Sequence, residues 1–193
     1  IQNRARGLGT MHFAVDKFST KTATAESVAV DVAITENNAK LEVSVIPKIA
    51  SLTVAGQKLS ELLLELAVKG LDIASVDTLS AISTDSNDFR NLTADEQARA
   101  SGALQNLVAK GFSIGLPKIS AKMGTGSIKG DLLIEVSQPA GAAAGKFSLV
   151  QSLKANGKLE AQGRIIDNTQ KRLALMLGLA TETREGLRAN FQL

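Results

Sequence analysis

Alternation of apolar and polar residues recurs along most of this chain, and a period of two dictates strands with one face turned to a core and the other to water. Met11, Phe13 and Val15 alternate with His12, Ala14 and Asp16. Val28, Val30, Val32 and Ile34 alternate with Ala29, Asp31, Ala33 and Thr35; Leu41, Val43 and Val45 follow after the polar Glu36-Asn37-Asn38-Ala39 connection. Two such runs around a short Asn-containing link read as a hairpin. Pro47 is expected to interrupt the second run, because it cannot donate to a ladder, with a weaker strand over Ser51 to Ala55. Later, Phe112, Ile114 and Leu116, then Ile119, Ala121 and Met123, meet Ile128, Leu132, Ile134 and Val136 across Gly124-Thr125-Gly126, a second hairpin. Leu153 to Ala161 and Leu187 to Leu193 alternate again.

Between the two hairpins the period changes. Leu59, Leu62, Leu63 and Leu66 stand at i, i+3, i+4 and i+7, which predicts a helix stopping at Gly70 and a leucine face that could line an apolar groove. A short helix is expected around Val76 to Ile82, and Thr84 to Asp88 reads as a loop. Thr93 with Glu96 three residues on forms a capping box, opening a helix whose apolar stripe is Ala100, Leu104, Leu107 and Val108 and whose stop is Lys110-Gly111. Pro139 to Gly145 is a loop by composition. Asp167-Asn168-Thr169-Gln170 predicts a last helix to about Gly178, with Leu173, Met176, Leu177 and Ala180 buried. These pieces give an α+β fold: a single domain over residues 1–193, with a mainly antiparallel, curved sheet packed against three to four helices and a helical insert at about 58–111.

Composition narrows function by exclusion. With no cysteine, and with His12 as the one histidine, the chain has no thiolate, Cys-zinc, multi-histidine or Ser-His-Asp chemistry. His12 falls on the polar side of its strand and reads as a surface residue. Neither G-x-S-x-G nor S-x-x-K occurs. Asp85, Asn87 and Glu96 fit positions 1, 3 and 12 of a calcium loop, but Phe89 and Arg90 stand where that loop needs an oxygen ligand and a glycine. Gly124-Thr125-Gly126 with Gly130 precedes a strand rather than a helix, so it is a turn and not a phosphate cradle. Asn91-Leu92-Thr93 matches a glycosylation triplet that the cap role of Thr93 already explains. The net charge of +3 and aromatic content of 3%, without Trp or Tyr, argue against nucleic-acid partners and against sugar sites. No catalytic residue, metal or cofactor is therefore expected, a carboxylate hydrolase ranking last. The longest apolar stretch, Leu59 to Ala74, is broken by Glu61, Glu65, Lys69 and Asp72, too often for a membrane span. Ile46-Pro47-Lys48-Ile49 echoes Leu116-Pro117-Lys118-Ile119 at an offset of 70, a faint repeat.

The order of these pieces resembles the bacterial family of unknown function DUF945, also called YdgA-like. The stretches that carry it are Leu8 to Asp16, with a glycine before an alternating strand; Phe112 to Gly130; and Leu153 to Leu193, ending Glu185-Gly186-Leu187-Arg188-Ala189-Asn190-Phe191. The chain begins at Ile1 without a leader and is expected to be part of a longer protein. The resemblance implies its C-terminal part, with a membrane anchor upstream and this soluble portion on the periplasmic side of the bacterial inner membrane. It brings no catalytic residues. The expectation is a non-catalytic envelope domain that binds a lipid or a protein partner, with a structural or assembly role as the alternative and homo-oligomers open.

Overall fold

The computed structural model describes residues 8–85, 92–138, 152–163, 165 and 168–192. Its main feature is one nine-stranded sheet, in the order β1-β2-β3-β4-β5-β6-β7-β9-β8, with each strand antiparallel to its neighbour. The strands are β1 (Gly9–Ser19), β2 (Ala23–Asn37), β3 (Lys40–Val54), β4 (Gln57–Asp72), β5 (Phe112–Met123), β6 (Gly126–Val136), β7 (Leu153–Gln162), β8 (Thr181–Glu182) and β9 (Gly186–Gln192). Among the described residues there are three helices: α1 (Ile73–Asp85), α2 (Ala94–Lys110) and α3 (Asn168–Met176). The expected sheet-and-helix sandwich is thus overturned. The fold is a long meander in which helices decorate the ends instead of covering a face.

The largest correction is β4. Residues 57–72 are strand, so the helical insert begins at Ile73 and not near 58. The helix-like spacing has a local cause. The pairing of β4 with β5 shifts by one residue between Ser60 and Leu63, and Glu61 there adopts φ 51°. That is a β-bulge: between the pairs Ser60–Lys122 and Leu63–Ser120, the two residues Glu61 and Leu62 face the single residue Ala121. It keeps Leu59 and Leu62, three apart, on the same side of the sheet. Ser27 in β2 also has positive φ, at 50°. In β1, β2 and β3 the apolar pattern slips by three at the same level: Val15 to Phe18, Ala25 to Val28, Ile49 to Leu52. A spacing of three, followed by the unbroken Leu62-Leu63-Leu64, imitates a helix.

Pro47 does not end its strand, since β3 runs through to Val54. Val30 opposes it from β2, whereas the ladder to β4 passes from Val45 to Lys48 without a partner for Ile46 or Pro47. The missing donor therefore falls in a gap. Pro117 lies at the matching kind of place, where β5 shifts against β6 between Leu116 and Ile119. The faint repeat extends further: Leu62-Leu63-Leu64-Glu65-Leu66 of β4 stands 70 residues before Leu132-Leu133-Ile134-Glu135-Val136 of β6. Both echoes belong to hairpins, β3-β4 and β5-β6.

Other expectations hold. The first hairpin turns at Asn38 and Ala39, φ 50° and 58°, the doubly left-handed turn that suits the twist of paired strands. The Thr93–Glu96 capping box is complete, and Leu107 and Val108 of α2 are buried while Leu104 is exposed. The helix expected at Val76 to Ile82 is α1 and longer. The main enclosed core lies where α1 and α2 meet the sheet's end, around Leu41, Ile73, Ile82, Ala103, Leu107 and Val136. Asp72 ties the two helices there. With only 8% of its side chain exposed, it accepts from the backbone N–H (3.0 Å) and hydroxyl (2.7 Å) of Ser75, capping α1, and from Lys110 Nζ (2.5 Å) at the end of α2. The calcium-frame residue Asn87 and the loop Pro139 to Gly145 lie outside the described residues, as does Asp167 of the last helix's start.

Candidate functional site

The strand registers align the apolar residues into rows that cross the sheet. One row runs Ile34, Val43, Val68, Ile114, Ile134 and Ala155 over six strands. A second joins Met11, Val32, Val45 and Leu66. A third, Phe18, Ala25, Leu52, Leu59, Met123 and Gly126, lies beyond the bulge, which brings it onto the same side. The outcome is a broad aliphatic face. At about 4.8 Å per strand, nine strands span roughly 40 Å.

This face is not closed by the rest of the described chain. Leu64, Leu66 and Ile114 sit on β4 and β5, the middle of the sheet, where a covering layer would bury them; each is 39% exposed. Of the four leucines expected to line a groove, Leu59, Leu62 and Leu66 belong to this face, whereas Leu63 points to the opposite one by alternation past the bulge. These leucines therefore stand on a strand and not on a helix. Helical spacing grouped them for the wrong reason, and Val30, Val32, Val43 and Val45, read as the core side of their strands, stand on the same face as Leu62 and Leu66.

The opposite face is mixed: Leu63, Ala67 and Leu133 stand on it by alternation, and around them lie charged residues joined in pairs. His12 Nδ1 lies 2.5 Å from Asp31 Oδ1, and Lys48 Nζ donates to Asp31 Oδ2 at 2.7 Å across three strands. The Lys48 bond, and next the His12 bond, hold the Asp31 carboxyl below its ordinary range. His12 is on the polar side as expected, now with a partner. Further along, Lys122 donates to Glu61 (2.6 Å), and Arg188 to Glu160 (2.7 Å and 2.8 Å). Glu61, Lys122, Lys129, Lys158 and Glu160 border a trough of about 580 Å³ over β5 to β7. Among the described residues no group of three or more His, Asp or Glu is placed to hold a metal ion. No helix among them is long and apolar enough to cross a membrane, which leaves strands aside.

Comparison with known proteins gives a family and no activity. No curated protein and no solved structure matches the chain. A family model described as a bacterial protein of unknown function, DUF945, matches residues 3–185. Covering nearly the whole meander, that match places the chain in the DUF945 family of bacterial proteins.

Proposed function

We propose that this chain is a non-catalytic domain of the bacterial cell envelope, on the periplasmic side, that shelters acyl chains against the aliphatic face of its sheet. The observation that carries the reading is the 39% exposure of Leu64, Leu66 and Ile114 in the centre of the sheet. Exposed contiguous apolar surface of this breadth is costly unless something covers it. Acyl chains fit it better than a protein does. The rows are mostly Val, Leu, Ile and Ala, with Met11, Phe18 and Met123 beside them and no Tyr, Trp or Arg, whereas protein interfaces concentrate those last three at their centres. A hydrocarbon chain needs no directional partner, and the rows offer none. No catalytic role is included in this reading.

Displacement of a fluorescent fatty acid, with native mass spectrometry of the purified protein, tests this. Saturable displacement by unlabelled fatty acid, at least tenfold weaker in Leu66→Glu, is expected. Absence of binding by wild type, or equal binding by Leu66→Glu, sinks the reading. A partner strand adding to β1 is a second reading, favoured by Met11, Phe13, Val15 and Phe18, all more than half exposed on that edge strand. Analytical ultracentrifugation of wild type and Phe13→Lys checks self-pairing: a dimer that the lysine dissolves supports it, and a wild-type monomer removes the self-paired form.

A further inference from the structure

Helix α3 was expected to bury Leu173, Met176 and Leu177, and it does the reverse. Leu173 is 54% exposed, Met176 84%, Leu177 60%, and Leu179 just beyond the helix 58%. Four large apolar residues within seven positions thus stand in water on one projection.

The local geometry holds them there. Gly178, at φ 67°, ends the helix: its N–H donates to Leu175 O (3.1 Å), and the N–H of Leu179 reaches back to Ala174 O (2.9 Å). This pair of bonds is the Schellman stop, for which a left-handed residue is required. It turns the chain so that Leu177 and Leu179 flank the glycine at the tip. Behind the tip, Lys171 donates to Glu182 Oε1 of β8 (2.5 Å), tying the helix to the sheet edge.

Charge decides what the projection meets. Residues Asn168–Met176 contain Lys171 and Arg172 and no acid. Arg172 is exposed and stands four residues before Met176, on the same side of the helix. A cation one turn behind an exposed Met-Leu tip suits an interface where apolar side chains enter hydrocarbon and the guanidinium stays among anionic headgroups. We infer that the α3 tip is a membrane-contact element, Met176, Leu177 and Leu179 entering the surface of an anionic bilayer with Arg172 at its headgroups. The tip's residues are none of those proposed to meet acyl chains, so neither reading depends on the other.

Co-sedimentation with vesicles of phosphatidylcholine containing about a third phosphatidylglycerol, against phosphatidylcholine alone, tests the inference. Wild type is expected to partition to the anionic vesicles. Met176→Glu combined with Leu177→Glu is expected to weaken partitioning at least tenfold, and Arg172→Glu several-fold, with unchanged thermal melts because these side chains are exposed. Fatty-acid displacement stays intact in these variants, while Leu66→Glu shows the opposite pattern. No partitioning by wild type, or equal partitioning by the double variant, overturns the inference. So does a wild-type oligomer that the double variant dissociates without any vesicle binding, which would assign the tip to protein contact.

Discussion

Replacing Asp72 with Ala removes the junction between α1, α2 and β4, and its cost follows from the three bonds the carboxylate accepts. Loss of the helix cap formed with Ser75 costs about 1 kcal/mol. The bond from Lys110 is charge-assisted, but the Lys110 side chain is 54% exposed, so water screens it and about 1 kcal/mol is appropriate. The sum, about 2 kcal/mol, is roughly a thirtyfold fall in the folding equilibrium, since 1.4 kcal/mol is a factor of ten. Asn at this position still caps Ser75 and loses mainly the Lys110 part, about 1 kcal/mol. Urea unfolding followed by far-ultraviolet circular dichroism is the assay, the chain having neither Trp nor Tyr. The pH dependence has a definite sign. The bond from Lys110 first, then those from Ser75, hold the Asp72 carboxyl below its ordinary value of 3.8. A lowered folded value means that the stabilisation is fully present above the unfolded value and is lost as pH falls through the folded one. The gap between wild type and variant should therefore be constant from neutrality to about pH 5 and narrow below about pH 4. A loss under about 0.5 kcal/mol at pH 7, or a gap that acid leaves unchanged, refutes the account of Asp72.

Other substitutions probe the sheet itself. Ala39→Gly relieves the left-handed strain of the first hairpin turn and should stabilise by about 1 kcal/mol, or a few degrees in Tm, read by thermal melting. Gly130→Ala should destabilise by about 2 kcal/mol, because the new Cβ would stand 2.6 Å from Lys158 O and 2.9 Å from Leu159 Cδ1; urea midpoints decide it. Acidification should weaken the contribution of Asp31, whose lowered carboxyl stabilises above the usual carboxylate range and loses that effect as it protonates; Asp31→Asn should flatten this part of the stability–pH curve.

Much of this fold was legible in the sequence because hairpins and caps are local. Asn38-Ala39, Gly124-Thr125 and the Thr93–Glu96 box each declare themselves within a few residues, and alternation assigned the strands around them. What failed was non-local or phase-breaking. The bulge at Glu61 brings Leu59 and Leu62, three apart, to one side, and a spacing of three cannot be told from a helical one without the partner strand. Leu62-Leu63-Leu64 fills both faces and erases the alternation that would have corrected the reading. Pro47 looked like a break, since only the neighbouring ladders show that its missing donor falls in a gap. The sheet's long open face was hidden for a related reason. Periodicity says which side of an element is apolar, as at Val43 and Val45 or at Leu173 and Met176, but not whether another layer exists to cover it.

The account rests on one side of the sheet meeting acyl chains while the other meets water. Because the chain has no cysteine, single thiols can be placed at Leu66 and at its neighbour Glu65, which alternation sends to opposite faces, and labelled with an environment-sensitive fluorophore. Addition of fatty acid is predicted to shift the Leu66→Cys probe to the blue and leave the Glu65→Cys probe unchanged. A shift at Glu65 alone, an equal shift at both positions, or none at either would contradict it.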